Sequence, residues 1–161
     1  MTFFFQPPTT PRLNVGHLQQ ANPGECLATC TAMVLAYYHV AYDYRQLSKT
    51  LRIQSDLGTP FSNITRLTKL KILVGFRENG SLETLHRLLT QGWPCIIAVD
   101  TGELPYWDVS TGHAVVLVGM DKNHVYLNDP AMTVGPLQVP TGDFYLAWHE
   151  YSFSYAVLAV P

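Results

Sequence analysis

The sequence predicts an α+β protein in which the helices come first and the strands come second. From Cys26 onward the apolar residues recur with helical spacing, and after Gly92 they form short runs rich in β-branched residues. Of the 161 residues 47% are apolar and only 14% are charged, so the chain can bury a core without disulfides or metal. A run of helices followed by a run of strands is typical of the α+β class. We therefore expect a single domain over residues 1–161, with an N-terminal helical lobe packed on a C-terminal twisted antiparallel sheet.

Residues 1–16 are predicted to form an extended arm that precedes the helices. Its proline-rich part is residues 6–11, and the phenylalanines at 3–5 are expected to pack as an edge strand. Four helices should follow. Ser81 is placed as the N-cap of the last one, and Gly92 should end it. The predicted helices are Cys26–Tyr38, Asp43–Leu51, Asn63–Leu73 and Ser81–Leu89.

Six short segments after Gly92 are predicted to be strands. They are four to eight residues long, and most are separated by Gly, Pro, Asp or Asn. The last of them alternates apolar and polar residues, as a half-buried strand does. The predicted strands are Pro94–Val99, Ala114–Met120, His124–Asn128, Pro136–Val139, Asp143–Trp148 and Phe153–Val160.

Charge and composition argue against several classes of partner. The formal net charge is −2 and no basic block occurs, so we expect no nucleic-acid partner. No apolar run approaches the roughly 20 residues that a membrane span needs. The N-terminus lacks the basic start and long apolar stretch of a secretory signal. Three cysteines are an odd number, which argues against a disulfide framework, so we expect a cytoplasmic protein with reduced thiols.

Neither a cofactor nor a metal ion is expected. The chain has no glycine-rich loop of the kind that cradles phosphates. Cys26 and Cys30 lie one helical turn apart, but no second cysteine pair follows at a zinc-binding spacing.

Cys26 is the candidate nucleophile. It follows the turn at Pro23-Gly24 and opens the most convincing helical pattern. A thiol attacks as the thiolate, and the positive end of a helix dipole together with a neighbouring imidazolium favours that form. The alternative is that Cys26 is a small buried hydrophobe, as most cysteines are.

His113 and Asp129 are the candidate partners of this thiol. His113 opens the apolar run that ends at Met120, and Asp129 closes the next run, in Asn128-Asp129-Pro130. If the two runs pair as an antiparallel hairpin, Asp129 falls near His113 and orients the imidazole, which then acts as general base and acid. The alternatives are a half-exposed strand-end histidine, a turn aspartate, and Asn128 in the orienting role.

Further candidates concern the oxyanion and the substrate. Gln20 can donate a side-chain N–H to an oxyanion hole, with the backbone N–H of Cys26 as second donor, and Gln19 is the neighbouring alternative. Tyr106 and Trp107 lie in the loop before His113 and are candidates for the substrate groove. Trp148 is placed beside Asp129 as an aromatic shield.

Taken together, these motifs resemble those of the bacteriocin-processing cysteine peptidases that cleave double-glycine leaders, family thirty-nine of the cysteine peptidases. The family's motifs correspond here to Gln20 six residues before Cys26, to Gly112-His113 followed by the apolar run, and to Asn128-Asp129-Pro130-Ala131. The resemblance covers about residues 17–150. It implies a papain-like fold with the cleft between helical lobe and sheet, in a bacterial, stand-alone relative.

The resemblance also implies roles for these residues and a peptide or protein substrate. Cys26 would be the nucleophile, His113 the general base and acid, Asp129 the orienter and Gln20 the oxyanion donor. The chain departs from the family at Glu25-Cys26-Leu27, because the family often has Asp-Cys-Gly or Asp-Cys-Ala there, and Leu27 adds bulk beside the thiol.

The sequence leaves three functions open. We expect a thiol peptidase that hydrolyses leader or propeptide-type substrates through an acyl-enzyme. The first alternative is an acyltransferase or deamidase with the same triad. The second is a peptide-binding module that keeps the fold without the chemistry.

Overall fold

A six-stranded antiparallel sheet forms the centre of the structure, a computed structural model in which residues 5–161 are described. The strands lie in the order β1-β6-β2-β3-β4-β5. Together with the helices this sheet confirms the predicted α+β class. The strands are β1 (Leu73–Arg77), β2 (Cys95–Asp100), β3 (Gly112–Met120), β4 (His124–Asn128), β5 (Leu137–Pro140) and β6 (Tyr155–Ala159).

Four α-helices and two 3-10 helices complete the described chain. The side chain of Asp43 caps α2 by accepting the Gln46 N–H, and Ser81 caps α3 by accepting the Thr84 N–H, as predicted for Ser81. The α-helices are α1 (Cys26–Tyr37), α2 (Tyr44–Thr50), α3 (Leu82–Thr90) and α4 (Thr141–His149). The 3-10 helices are Phe61–Leu70 and Thr101–Glu103.

Both faces of the central strands are buried. On β2, Ile96 packs into the core that contains α1, and Ile97 packs into the core that contains α3 and α4. On β3, Val116 packs into the first of these cores and Leu117 packs into the second. A strand covered on both faces reads as a continuous apolar run, which explains the patterns of β2 and β3. His113 stands where this double burial begins, at the end of β3.

The predicted strand at Asp143–Trp148 is wrong, because this segment belongs to α4. Phe144, Ala147 and Trp148 are buried, and their spacing of three and four residues puts them on one helical face. Short apolar runs do not distinguish a buried strand from a helix by periodicity alone, which accounts for the error.

The predicted order, with helices first and strands second, has a second exception at β1. β1 lies within the first half as an edge strand paired with β6, and its five residues include Gly75 and the charged Arg77, which weaken the strand pattern. The helix expected over Asn63–Leu73 is the 3-10 helix Phe61–Leu70. It ends at Lys71, whose φ of 62° is left-handed.

The described part of the N-terminal arm, residues 5–16, is irregular apart from a β-bridge between Arg12 and Gly119, and it contacts the sheet where the strand pairing is interrupted. The pairing of β3 with β4 shifts register between Leu117 and Gly119. There the Leu13 N–H donates to the Val118 carbonyl at 2.7 Å, and the Met120 N–H donates to the Pro11 carbonyl at 3.1 Å. A Cβ at Gly119 would stand 3.0 Å from the Pro11 oxygen, so the close approach of the arm favours glycine. The edge strand predicted for the phenylalanines involves residues 3 and 4, which lie outside the described residues.

Candidate active site

Cys26 is the first residue of α1, so its thiol stands at the N-terminal end of that helix. The preceding turn depends on Gly24, whose φ is +87° and where a Cβ would lie 2.7 Å from the Gly58 nitrogen. Cys26 is half-buried, whereas Cys30 and Cys95 are completely buried. The Cys26 N–H, in the first turn of the helix, has no intrahelical acceptor. Of the three thiols, Cys26 is therefore the one that a substrate can reach.

His113 and Asp129 are brought together by the antiparallel pairing of β3 with β4, which confirms the predicted hairpin. The register pairs Val116 with Asn128, so Asp129, one residue further, lies beside the start of β3. His113 Nε2 and Asp129 Oδ1 are 2.6 Å apart. The two side chains are 5% and 0% exposed. The second ring nitrogen of His113 is left free to serve another partner.

Two aromatic side chains hold the other oxygen of Asp129. The Tyr106 hydroxyl donates to Oδ2 at 2.8 Å and the Trp107 indole N–H donates to it at 2.9 Å. The Trp107 ring also meets the His113 ring edge-on, with centroids 5.1 Å apart. The aromatic cover of this pair is therefore Trp107. Trp148, predicted in that role, instead packs on Phe144.

The prediction that Tyr106 and Trp107 shape the substrate groove needs correction. Neither residue lines the cleft that contains Cys26 and His113, and the polar atoms of both point at the buried carboxylate. A carboxylate removed from water needs such donors, and the loop before His113 supplies them. Tyr106 and Trp107 therefore contact Asp129 and lie outside the lining of the cleft.

The charges of this pair stabilise each other. Burial lowers the pKa of His113, but the hydrogen bonds and the charges of Asp129 and Cys26 together outweigh burial and raise it from 6.5 to about 9. Burial raises the pKa of Asp129, but His113, Trp107 and the Ala131 N–H together lower it below its usual value. At neutral pH the pair is an imidazolium and a carboxylate. The imidazolium is available to the thiol of Cys26.

A cleft of about 560 Å³ joins Cys26 and His113. One wall consists of the loop between α2 and the following 3-10 helix. Further lining comes from Ala98 of β2, from the start of β3 and from Tyr151, whose hydroxyl lies so close to Gly112 that a Cβ there would collide with it. The lining residues on the first wall are Arg52, Gln54, Leu57, Gly58, Thr59, Pro60, Phe61 and Asn63.

Gln20 lies beside the segment that follows Asp129. Its backbone N–H donates to the Pro130 carbonyl at 2.7 Å, and its side-chain Oε1 is buried without a hydrogen-bond partner. No hydrogen bond joins Gln20 to Cys26 within residues 5–161, so its oxyanion role stays a prediction. Gln19, the alternative, is exposed. Asn128, the rival orienter, donates to the Val15 carbonyl at 2.9 Å and does not contact His113 through a hydrogen bond.

The family model described as the Peptidase_C39 like family matches residues 12–156, which is most of the sequence. The chain belongs to the Peptidase_C39 like family. None of the curated proteins compared with this C39-like chain matches it.

Three solved structures share the fold of this C39-like chain. A protein of Bacillus anthracis described as a C39-like peptidase is 20% identical, with a TM-score of 0.78, and the match covers 95% of this chain and 98% of that one. A double glycine motif protease from an AMS/PCAT transporter, solved with its leader peptide, is 23% identical, with a TM-score of 0.69 and coverage of 98% and 99%. The peptidase domain of Streptococcus ComA is 19% identical, with a TM-score of 0.73 and coverage of 92% and 100%. At these identities the likeness shows the papain-like peptidase fold.

Glu25, where the family often has aspartate, is held by a hydrogen-bond network at the start of α1. Its Oε2 accepts from the Asn22 side chain and its Oε1 accepts from the Tyr44 hydroxyl, both at 2.9 Å. Tyr44 also shares a 2.9 Å hydrogen bond with the Thr29 hydroxyl. Leu27, the other departure, is 2% exposed and lines the cleft with Cys26, so its bulk forms part of the floor.

Two searches for other kinds of site concern the described residues alone. Across residues 5–161 no three His, Cys, Asp or Glu side chains cluster in a way that could hold a metal ion. Among the helices of this same range, none is both long and apolar enough to cross a membrane.

Sequence reasoning missed two features of this site. The donor role of Tyr106 and Trp107 had a signal, because both carry a polar hydrogen and both stand in the loop before His113. The link between Glu25 and Tyr44 had none, since the two residues are 19 positions apart and belong to different helical segments.

Proposed function

We propose that the protein is a cysteine peptidase that hydrolyses peptide bonds through a Cys26-His113-Asp129 triad. The observation that carries this proposal is the shared cleft. A half-buried thiol at a helix N-terminus lines it together with an imidazole that a buried carboxylate holds at 2.6 Å. These are the three parts that an activated thiol nucleophile needs, each in a position suited to its role. Membership of a peptidase-like family supports the same reading.

In the proposed mechanism the thiolate of Cys26 attacks the carbonyl carbon of the scissile amide. The negative charge that develops on the carbonyl oxygen is met by the Cys26 N–H and by the Gln20 side chain. The imidazolium of His113 gives its proton to the leaving amine, and the C–N bond breaks to leave a thioester on Cys26. His113 then accepts a proton from water, whose oxygen attacks the thioester. The thiolate and imidazolium are restored when the acid product leaves.

Asp129 acts on His113 and does not touch the substrate. Its Oδ1 fixes which ring nitrogen faces the cleft, and its negative charge stabilises the imidazolium. Tyr106 and Trp107 in turn keep the carboxylate in place.

A leader or propeptide-type substrate is part of the proposal. The neighbour solved with a leader peptide shares the fold over nearly the whole chain, and Cys26 here lines a cleft of about 560 Å³. An extended peptide segment suits such a cleft better than a small molecule does.

The decisive experiment measures alkylation of Cys26 by iodoacetamide from pH 4 to 9, followed by peptide mass spectrometry. We expect wild-type Cys26 to react at a pH of about 6, where an ordinary thiol is almost entirely protonated. His113→Ala should remove this reactivity. Cys30 and Cys95 serve as internal controls because both are completely buried, and burial raises the pKa of each. Equal, slow labelling of Cys26 in the wild type and in His113→Ala would contradict the proposal and favour a binding module.

Product masses separate hydrolysis from the related chemistries. A peptidase adds one water and yields two fragments. A deamidase replaces ammonia by water without cleaving the chain, and an acyltransferase joins the acyl part to an amine. Incubation of a peptide library with the wild type and with Cys26→Ala, read by mass spectrometry, assigns the reaction.

A further inference from the structure

The cleft contains one permanently charged side chain, and it is not part of the triad. Arg52 is the only Arg, Lys, Asp or Glu among the described residues that line the cleft. It belongs to the wall formed by residues 52–63. A positive charge that lines a cleft attracts anions, and Arg52 keeps its charge whatever the protonation state of His113.

The backbone at Arg52 is fixed, although its side chain is exposed. Arg52 follows the end of α2, donates its N–H to the Lys49 carbonyl at 3.1 Å, and has a left-handed φ of 59°. Its chain neighbour Leu51 is completely buried. Glycine or asparagine is favoured at such a position, so an arginine there is held against the local preference.

Arg52 has no acidic partner in the structure. Within residues 5–161 both ion pairs are made by histidines, and no hydrogen bond from the Arg52 guanidinium is present. Other arginines are engaged: Arg66 donates to the Thr50 carbonyl, and Arg12 stacks on the Tyr126 ring.

The polar neighbours of Arg52 in this wall are already satisfied by one another. Asn63 donates to the Leu51 carbonyl and to the Thr59 hydroxyl, and that hydroxyl donates to the same carbonyl. The Arg52 guanidinium is therefore the charged group in this wall whose donors have no partner among the described residues.

We propose that Arg52 binds a carboxylate of the substrate, and so selects peptides that carry an acidic group at a set distance from the scissile bond. This inference rests on the proposed peptidase function and adds a specificity residue to it. A guanidinium presents two parallel N–H donors that match the two oxygens of a carboxylate. The carboxylate comes either from an Asp or Glu side chain or from the C-terminus of a short substrate.

The first test uses a peptide library read by mass spectrometry. We expect the peptides that the wild type cleaves to be enriched in Asp or Glu at one position relative to the scissile bond. Matched pairs with Glu or Gln at that position, and with a free or amidated C-terminus, then identify the source of the carboxylate. Cleavage that is indifferent to both replacements would overturn the proposal.

The second test changes the residue. Arg52→Gln should lower kcat/KM for the acidic peptide about three- to ten-fold, mainly by raising KM, as expected for a charge-assisted contact at a partly exposed site. Arg52→Glu should reverse the preference towards Lys at that position. Arg45→Gln is the matched control, because Arg45 is an exposed arginine of α2 that does not line the cleft. An unchanged preference in Arg52→Glu, or an equal loss in Arg45→Gln, would contradict the assignment.

A third measurement separates this inference from the proposed function, because it requires no turnover. Cys26 is alkylated with iodoacetamides that carry an ω-carboxylate on spacers of increasing length, and with the matching carboxamides. We expect one spacer length at which the carboxylate reacts faster than the carboxamide, and loss of that advantage in Arg52→Gln. If library peptides are not cleaved but this advantage is present, peptidase activity fails and Arg52 keeps its role. If peptides are cleaved but the carboxylate reagents show no rate advantage, the peptidase proposal stands and the proposed role of Arg52 fails.

Discussion

Asp129 and Cys26, which stand on the two sides of the cleft, differ in how completely they are buried and bonded. On the sheet side, Asp129 is fully buried and accepts hydrogen bonds from His113, Tyr106, Trp107 and the Ala131 N–H. On the helix side, Cys26 is half-buried at the N-terminal end of α1, and its thiol is accessible from the cleft. The sheet side is therefore already organised before a substrate arrives, while the helix side keeps its reactive groups available.

The difference follows from charge. A carboxylate out of water is tolerated only if donors and a cation surround it, so Asp129 requires its complete set of partners. A nucleophile requires the opposite, because the substrate has to reach it. The comparison predicts that, apart from replacement of the Cys26 nucleophile itself, changes on the sheet side have the larger effects on catalysis.

The largest effect is expected from Asp129→Asn. The amide keeps the size of the side chain but has no charge to stabilise the imidazolium, so the pKa of His113 should fall. By analogy with other triads we expect kcat to drop by roughly 10²- to 10⁴-fold. Initial rates on a peptide selected from the library measure this loss, and circular dichroism checks the fold.

Asn128→Ala is the matched control, since Asn128 is the neighbouring buried residue. It should cost about 1–3 kcal/mol of unfolding free energy, because the Val15 carbonyl loses its donor. The folded enzyme should keep its kcat. A loss of kcat equal to that of Asp129→Asn would mean that any buried polar deletion has this effect, and the comparison would fail.

The next effect concerns pH and tests the charge of His113. Leaving-group protonation needs the imidazolium, so kcat/KM should fall above pH 9, where His113 loses its proton, by about ten-fold per pH unit. A pH–rate profile from pH 5 to 10.5 measures the alkaline limb. If kcat/KM instead began to fall near pH 6.5, this would show that Asp129 does not stabilise the charged imidazole ring.

Unfolding measurements give an independent check on the same group. Because the pKa of His113 is raised on folding from 6.5 to about 9, its contribution to stability is complete below 6.5 and is lost as the pH rises to 9. The lowered pKa of Asp129 acts in the opposite direction, and its contribution is lost as the pH falls through the acid range. His113→Gln should flatten the curve between pH 6.5 and 9.

Residues close in sequence to a strong pattern were predictable, and residues joined across the fold were not. Cys26, His113 and Asp129 stand at the ends of apolar runs, so the elements alone place them. The register of β3 and β4 then brings the last two together. Asn128 and Asp129 were rivals in the sequence, and only the structure shows which of the two side chains points at His113.

The errors in the fold have a common cause. A few residues carry too little periodicity to identify an element, so the sequence predicts a strand where α4 lies and no strand where β1 lies. Neither error moved the triad, since β3, β4 and α1 were predicted to within two residues. No sequence pattern singles out Arg52, because its proposed role depends on a wall of the cleft that residues 52–63 form only in the folded protein.

The smallest effect is expected on the helix side, from Tyr44→Phe. This change removes the hydroxyl that donates to Glu25, the residue next to Cys26. Burial and Glu25 raise the pKa of this hydroxyl to about 12, although its hydrogen bond with Thr29 acts in the opposite direction. We expect a loss of about 1 kcal/mol in unfolding free energy and only a few-fold fall in kcat. Tyr42→Phe is the control, because Tyr42 is exposed. If Tyr44→Phe lowered kcat as far as Asp129→Asn does, the helix side would be as strictly organised as the sheet side, contrary to the comparison.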